Sequence, residues 1–278
     1  MMKVLISADA EGISGIFKKS QVTPGTRDYD SFRGLMAGDV NAAIRGAFAG
    51  GATEVVVNDC HNYEDNLRIT DLDPRASLMA GADKPLLMAE GLDRDVDALF
   101  LVGYHARKGA RGVISHTFYY GVVADAVVNG VPFGEADFVA HTAGYFGVPT
   151  VLITGDDCVT DYARQRIPGI TTAVVKEVIG NGSAHLYHPV QTAARIEAAA
   201  KSATEGYRSV APLPVEGPFT LELTFLAATQ ADLACQVPGF RHTPERDSKV
   251  VFTCGDYLEL YKAFLHALTL AATFNDQF

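Results

Sequence analysis

The first half of the chain alternates short apolar runs with segments of helical periodicity. Continuous apolar runs, typical of strands buried on both faces, lie at 3–7, 54–57, 98–102 and 151–154. Between the first two, residues 28–50 place apolar side chains three and four positions apart, which predicts a helix that ends at Gly50-Gly51. This β-α-β alternation predicts an α/β fold with a mostly parallel sheet flanked by helices.

A hairpin pattern interrupts this alternation. Apolar segments at 122–128 and 131–133 flank Asn129-Gly130, a dipeptide that strongly favours a two-residue β-turn. A helical pattern follows over 134–146. We therefore expect a hairpin followed directly by a helix.

The second half also alternates strand and helix patterns, but it lacks clustered residues of catalytic type. Strands are predicted at 171–178, 219–225 and 249–253, and helices at 188–204, 229–235 and 256–274. We predict a larger α/β domain over 1–168 and a smaller α+β domain over 169–278, with the boundary near Pro168.

Composition narrows the class of protein. With 23 Lys and Arg against 33 Asp and Glu, the net charge is -10, which argues against a nucleic-acid partner because phosphate binding needs clustered positive charge. The apolar segment at 257–274 contains Glu259, Lys262 and His266, so we expect an amphipathic helix and no membrane partner. The first residues do not resemble a signal peptide, and the four cysteines form no C-x-x-C pair. A cytoplasmic protein with reduced thiols is expected.

Acids and histidines follow the predicted strands. Asp9 and Glu11 come after the first strand, two positions apart, so in an extended chain their side chains share a face. His61 and His105 follow the second and third strands. Since sites in α/β sheets lie beyond the carboxyl ends of the strands, we expect these four side chains at one edge. Two carboxylates this close repel each other unless a cation neutralises them.

Glu135 and His116 complete the candidate site. Glu135 opens the helix after the hairpin, where a lone acid would be an ordinary first-turn residue. Together with the two acids and two histidines above, it makes a set of five ligands able to hold two metal ions, typically a hydrolytic centre. Imidazole and carboxylate favour zinc, although manganese or cobalt could bind the same residues. His116 could be a further ligand, a catalytic base or nucleophile, or a packed histidine.

Other polar residues near the predicted edge are weaker candidates. Cys60 could be a ligand, but carboxylate and imidazole already fill the site. Asp156 and Asp157 could orient a ligand histidine, and for Asp157 a helix N-cap is the preferred interpretation. The remaining histidines are interpreted as structural: His141, His185, His188, His242 and His266.

These segments resemble the zinc-dependent D-aminopeptidases of the DppA type, which are encoded in bacterial dipeptide-transport operons. The matching segments are SADAEGISG at 7–15, VNDCH at 57–61, GYHAR at 103–107, GVISH at 112–116 and GE at 134–135. The resemblance is dense up to about Asp157 and sparser beyond it. One departure is a single extra residue between Gly121 and Glu135, so the alignment of Glu135 depends on Gly134-Glu135 and the helix that follows.

The resemblance implies a division of roles within the site. The implied ligands of two zinc ions are Asp9 as the bridge, Glu11 and His105 on one zinc, and His61 and Glu135 on the other. The histidine that matches His116 is the nucleophile of the family. The family also forms a ring-based homo-oligomer of ten subunits, with the active sites facing an internal channel. The 169–278 domain would then serve oligomerisation and the substrate channel.

The leading hypothesis is a binuclear zinc aminopeptidase that releases the N-terminal D-residue of short peptides, such as di- and tripeptides that contain D-Ala. His116 would act either as the nucleophile or as an acid and base beside a bridging hydroxide, and the sequence leaves both open. One alternative is a metal-dependent amidase or peptidase of other stereochemistry, because no motif encodes chirality. Another is a non-catalytic dipeptide-binding protein with a structural metal.

Overall fold

The computed structural model describes residues 1–274, which form twelve strands and six α-helices. In chain order the strands are β1 (Lys3–Ala8), β2 (Glu54–Asp59), β3 (Ala76–Met79), β4 (Ala98–Tyr104), β5 (Val123–Val128), β6 (Val131–Pro132), β7 (Thr150–Asp156), β8 (Thr171–Gly180), β9 (Ser183–Leu186), β10 (Phe219–Phe225), β11 (Arg241–Thr243) and β12 (Arg246–Cys254). The helices are α1 (Tyr29–Ala49), α2 (Glu135–Tyr145), α3 (Asp157–Arg166), α4 (Pro189–Glu205), α5 (Ala228–Ala234) and α6 (Tyr257–Ala272).

Sheet A has seven strands in the order β3-β2-β1-β4-β7-β8-β9. Its neighbouring strands are parallel except for the last pair, β8 and β9. The central strands β4 and β7 are buried along their whole length, which explains their continuous apolar runs. Helices α1 and α4 pack against each other and against the strands of this sheet. The predicted α/β fold with a mostly parallel sheet flanked by helices is confirmed.

Sheet B has five antiparallel strands in the order β11-β12-β10-β5-β6. The predicted hairpin is β5 and β6, whose turn residues Asn129 and Gly130 have φ of 49° and 80°. Strands β5 and β6 join this sheet from before Pro168, whereas β8 and β9 join sheet A from beyond it. The division into domains 1–168 and 169–278 stays a prediction.

The parallel register brings three chain segments together at one edge of sheet A. Ala8, the last residue of β1, pairs with Asp59 of β2 on one side and with Val102 of β4 on the other. The segments that leave these three strands therefore begin side by side. Among residues 1–274, no helix combines the length and the apolar character needed to cross a membrane.

Candidate active site

The loop after β1 lies directly against the end of β4. The Asp9 N–H donates to the Val102 carbonyl, and the Gly12 N–H donates to the Gly103 carbonyl, both at 2.8 Å. A Cβ atom on Gly12 would lie 2.0 Å from the Tyr104 carbonyl oxygen, so only glycine permits this approach. The glycine thus allows the acids of this loop to lie beside the histidine that follows β4.

Each of the three histidines is oriented by a backbone carbonyl. His61 Nε2 lies 2.8 Å from the Val22 carbonyl oxygen, His105 Nδ1 lies 2.9 Å from that of the following residue, and His116 Nδ1 lies 3.0 Å from that of Ile114. A carbonyl can only accept, so each of these nitrogens carries a proton. The opposite nitrogen of each ring faces the carboxylates, which is the usual arrangement of a metal-binding histidine.

Asp9 lies between two of these histidines. Its Oδ1 is 3.5 Å from His61 Nδ1, and its Oδ2 is 3.4 Å from His105 Nε2. Glu11 Oε2 is 3.3 Å from His61 Nδ1, and Glu135 Oε2 is 3.2 Å from His105 Nε2. The structure therefore brings together all five residues that the sequence suggested as metal ligands.

Glu135 reaches this cluster from the first turn of α2. A Cβ atom on Gly134 would lie 2.8 Å from the Cβ of Arg107, so the glycine lets the start of the helix approach the segment after β4. The Gly134 N–H donates to Asp137 Oδ2 at 2.8 Å and so caps the helix. Glu135 itself is only 4% exposed and points inward.

His116 lies in a strained turn, defined here as residues 114–118. Ile114 and Phe118 have φ of 52° and 54°, a left-handed conformation that is unfavourable for residues other than glycine. The turn is fixed by Glu135 Oε1, which accepts the Phe118 N–H. It stacks the His116 ring on that of His105, with centroids 4.2 Å apart, and leaves His116 Nε2 3.7 Å from Glu135 Oε1.

The donor set fits a cationic metal centre. Asp9 Oδ2 and Glu11 Oε2 are buried and have no hydrogen-bond partner. Burial, and then the charge of Glu11, raise the pKa of Asp9 to about 7. Burial lowers the pKa of His105, but Glu135 and Asp9 outweigh it and raise that pKa to about 10. Protons held among these groups occupy positions that a metal cation would take.

The pKa of the third histidine, His116, is shifted in the opposite direction to that of His105. Burial, and then the neighbouring His105, lower the pKa of His116. The ring is therefore neutral at neutral pH, with its unprotonated Nε2 directed toward the cluster. A neutral imidazole in this position can act as a base or a nucleophile.

A buried lysine that the sequence analysis missed holds the loop after β1. Lys176 lies in β8 and is 0% exposed, and its Nζ donates to the carbonyls of Glu11, Ile13 and Ile16 at 2.5, 2.9 and 2.8 Å. Burial lowers the pKa of Lys176 to about 8, while Asp156 and other acids oppose this shift. The sequence signal was a pair of charged residues, Lys176 and Glu177, within a run of apolar residues, and of the two only Lys176 is buried.

A second lysine, Lys84, holds the end of β2 and the segment that follows it. Lys84 Nζ donates to Asn58 Oδ1 at 2.5 Å and to the Asp59 carbonyl at 2.6 Å, and it pairs with Glu64 at 3.1 Å. The Asp59 carboxylate accepts a hydrogen bond from the amide of Asn66 at 2.8 Å. Together these contacts fix the backbone on either side of His61.

Asp156 fixes the backbone immediately before the strained turn. Its Oδ2 accepts the Val113 N–H at 2.8 Å, and its Oδ1 caps α3. The interpretation of Asp157 as the N-cap is therefore wrong, because Asp157 Oδ1 instead accepts the Val178 N–H at 2.8 Å. Asp156 takes the capping position because it ends β7 and is the last residue with extended backbone.

Cys60 and the remaining histidines lie outside the ligand groups of the described residues. The Cys60 Sγ contacts Ser7 Oγ at 3.1 Å, and burial raises the pKa of the thiol well above its ordinary value. His141 is on α2 and its Nδ1 bonds the Asp137 carbonyl within the same helix. None of these side chains adds a ligand to the cluster.

A cavity of about 290 Å³ opens beside the cluster. Its polar wall includes Asp9, Glu11 and His116. Its outer part includes Lys19 and Tyr120. A cavity of this size suits a small ligand.

Comparison with known proteins identifies the family. The family model described as D-aminopeptidase, Peptidase M55, matches residues 2–266. The chain belongs to the D-aminopeptidase family. The predicted resemblance is thereby confirmed, as is the prediction of an enzyme that hydrolyses peptides. The hypothesis of a non-catalytic binding protein is set aside.

Both a relative in sequence and a solved structure match nearly the whole length of this D-aminopeptidase. It is 36% identical over 270 residues to the D-aminopeptidase of Bacillus subtilis strain 168, which covers 97% of this chain and 98% of the relative. It also matches the solved structure of the Zn-dependent D-aminopeptidase DppA from Bacillus subtilis, described as a self-compartmentalizing protease. That match has a TM-score of 0.93 at 36% identity and covers 97% of this chain and 98% of the other.

Proposed function

We propose that this D-aminopeptidase binds two zinc ions per subunit and releases the N-terminal D-residue of short peptides, such as di- and tripeptides that contain D-Ala. The observation that carries the proposal is the buried cluster of three carboxylates and three imidazoles. Two of its carboxylate oxygens lack hydrogen-bond partners, as expected of groups that bind a cation. The similarity to a Zn-dependent enzyme favours zinc over manganese or cobalt.

Asp9 is the proposed bridging ligand because its two oxygens face different histidines. We propose that Glu11 and His105 complete one zinc site and that His61 and Glu135 complete the other. A second division is possible, since His61 Nδ1 lies 3.3 Å from Glu11 and His105 Nε2 lies 3.2 Å from Glu135. The two divisions differ in which zinc each glutamate binds.

Paired substitutions distinguish the two divisions. In the proposed division, the double variant H61A/E135A loses ligands from one zinc only and retains about one zinc per subunit. The double variant H105A/E135A loses ligands from both zincs and retains none. Zinc is measured by elemental analysis after gel filtration. The reverse order of the two variants would support the second division.

Neighbouring residues hold His116 in the tautomer that either proposed role, nucleophile or base, requires. Zinc supplies Lewis acidity toward the peptide carbonyl. The Ile114 carbonyl keeps the proton on His116 Nδ1, so Nε2 carries the lone pair. As a nucleophile that nitrogen would attack the carbonyl carbon, the C–N bond would break as the amine leaves with a proton, and water would then hydrolyse the acylated imidazole. As a base it would accept a proton from the attacking water and pass it to the leaving amine.

The proposed activity is tested with paired D- and L-alanyl dipeptides before and after chelation. We expect cleavage of the D-peptides, loss of cleavage with chelator and recovery with zinc. His116→Ala should keep the zinc content of the parent protein while turnover falls by at least about 100-fold, the usual scale of general acid–base catalysis. Unchanged turnover in this variant would exclude His116 from catalysis. A clear preference for L-peptides would support a peptidase of other stereochemistry.

We also propose a cytoplasmic homo-oligomer, in the form of a ring-based decamer. The Bacillus subtilis relative is described as self-compartmentalizing, which requires several subunits around one space. Several large apolar side chains are more than half exposed in the single chain and are available for subunit contacts, among them Tyr63, Ile69, Ile179, Val190 and Leu226. Four free thiols agree with a reducing compartment. Sedimentation analysis tests the assembly and should give the mass of ten subunits.

A further inference from the structure

Two lysine ammonium groups contact one aromatic ring at the outer part of the cavity. Lys19 Nζ lies 4.0 Å from the centroid of the Tyr120 ring, and Lys108 Nζ lies 4.7 Å from the same centroid. Lys19 and Tyr120 both line the cavity. Two like charges held on one ring repel each other, and the ring compensates only part of that repulsion. Both ammonium groups place positive charge beside this ring, and that of Lys19 is available to an anion in the cavity.

Neither ammonium group is paired with an acid among the described residues. The ion pairs formed among residues 1–274 involve other lysines and arginines, such as Lys18 and Arg107. The adjacent Lys18 differs, because its Nζ pairs with Asp28 at 2.7 Å. Lys18 is therefore neutralised locally, whereas Lys19 is free to bind an anion in the cavity.

The backbone around Lys19 is well fixed. Gln21 Oε1 accepts the N–H groups of Phe17 and Lys18 at 3.0 and 3.2 Å, and Gln21 Nε2 donates to the Gly15 carbonyl at 3.1 Å. This turn continues directly from the loop that carries Asp9 and Glu11. The backbone that carries Lys19 is therefore fixed next to this loop, and the exposed side chain places its ammonium over the Tyr120 ring.

The distance from His116 limits the length of ligand that can join the two points. The Tyr120 and His116 ring centroids are 5.7 Å apart, and Lys19 Nζ is 4.0 Å from the former, so the ammonium lies within 9.7 Å of the His116 ring. After a polar contact of about 3 Å at each end, at most about 4 Å is left for the ligand. One extended residue spans about 3.5 Å. The carboxylate of the residue after the scissile bond fits this gap.

We propose that Lys19, assisted by Lys108, forms a subsite that binds the terminal carboxylate of a dipeptide. The inference rests on the proposed peptidase function and specifies its substrate class. In a dipeptide the carboxylate reaches Lys19 while the scissile carbonyl lies beside His116. A longer peptide places a neutral amide at this point and its carboxylate beyond it. Dipeptides with a free carboxylate are therefore the preferred substrates.

The test compares D-Ala-D-Ala with its C-terminal amide in the zinc-loaded protein. For the parent protein we expect a KM about five- to tenfold lower for the free acid, on the scale of a partly exposed ion pair. Lys19→Met should remove this difference by raising KM for the acid, with kcat unchanged and the amide unaffected. Lys19→Arg should preserve it. Lys18→Met is the matched control, since that lysine is already paired with Asp28.

The outcomes separate the subsite from the proposed function. If the parent protein cleaves neither substrate, the proposed function is wrong. If it cleaves acid and amide with equal KM, the function stands and the subsite is wrong. An equal loss for both substrates in Lys19→Met would likewise overturn the subsite, because it would indicate a general structural effect. Zinc content and circular dichroism confirm that the variants are folded.

Discussion

At the scale of single residues, the site is controlled by backbone carbonyls. Each histidine uses one ring nitrogen to donate to a carbonyl and presents the other toward the carboxylates. This fixes the ring orientation and the tautomer before any ligand binds. The three rings are equivalent in this respect, so their different roles must come from their neighbours. His61 and His105 lie beside Asp9, whereas His116 contacts only Glu135 among the acids of the cluster.

A buried acid beneath the site predicts a pH-dependent stability. Burial raises the pKa of Asp39 to about 6 from 3.8, although hydrogen bonds from Ser14 oppose this. Because the folded state favours the protonated acid, its stabilising contribution is complete below pH 3.8 and is lost as the pH rises through 6. Relative to Asp39→Asn, the parent protein should lose about 1 kcal/mol of unfolding free energy between about pH 5 and 7.5.

This prediction is measured by urea unfolding of both proteins at fixed zinc and protein concentration. The Asp39→Asn substitution keeps the size of the side chain but removes its titration. The change with pH in the difference between the two unfolding free energies therefore reports the titration of Asp39, even if the variant is less stable than the parent at every pH. Asp30→Asn, at an exposed position of the same helix, is the matched control. A difference between parent and Asp39→Asn that is constant with pH would contradict the raised pKa.

The residues that follow the strands allowed much of the candidate site to be predicted, because the carboxyl ends of parallel strands lie at the same edge of a sheet. Asp9, His61 and His105 could be expected to meet, and the structure places them together. Lys176 could not be predicted, because it contacts backbone carbonyls more than 150 residues away and no side-chain type marks a carbonyl as an acceptor. The assignment of ligands to particular zincs stays a prediction.

At the scale of elements, the strands that could be predicted from the sequence are the buried ones. The strands at the centre of sheet A, β4 and β7, are fully buried and their apolar runs were recognised. The strands that the sequence analysis missed are β3, β9 and β11, which are short and have only half-buried or exposed residues. Each is at an edge of its sheet, where a partner on one side is enough and no apolar pattern is required.

The tie between β8 and the loop after β1 predicts a specific loss of zinc affinity. Lys176→Met keeps the length of the side chain but removes three hydrogen bonds to the loop that carries Glu11. We expect zinc affinity to fall by about 10- to 100-fold, as for other groups that orient metal ligands. Removal of a positive charge would by itself favour zinc, so weaker binding reports the position of the loop.

Chelator competition on the folded variants measures this effect. Lys176→Gln retains an amide donor and should fall between Met and the parent protein. Lys201→Met, at an exposed site on α4 where the lysine faces Glu205, is the control and should bind zinc normally. If a folded Lys176→Met variant bound zinc as tightly as the parent, the lysine would serve only the stability of the fold.

At the scale of the whole molecule, charge sets a constraint on substrate entry. The chain has a net charge of -10, and three of its acids are buried together in the site. A dipeptide substrate is a zwitterion, so this negative potential favours its ammonium group and disfavours its carboxylate unless nearby cations offset the potential. Lys19 and Lys108 lie where such an offset is needed, at the outer part of the cavity. Zinc in the cluster would reduce the negative potential further.

The proposed zinc ligands also predict the thermal behaviour of the whole fold, because they come from four separate segments: the loop after β1, the segments after β2 and β4, and the start of α2. An ion that binds only the folded state stabilises it by about 2.7 kcal/mol at a concentration 100 times Kd. For a chain of this size we expect chelation to lower Tm by about 5–10 °C, and added zinc to restore it.

Calorimetry of the parent and of Asp9→Ala, at equal protein concentration, provides the measurement. Asp9 lies beside both proposed histidine ligands, so its variant should show no response to chelator. A response that persists in Asp9→Ala would mean that the stabilising ion binds elsewhere, and an unchanged Tm in the parent would mean that the four segments are held by protein contacts alone.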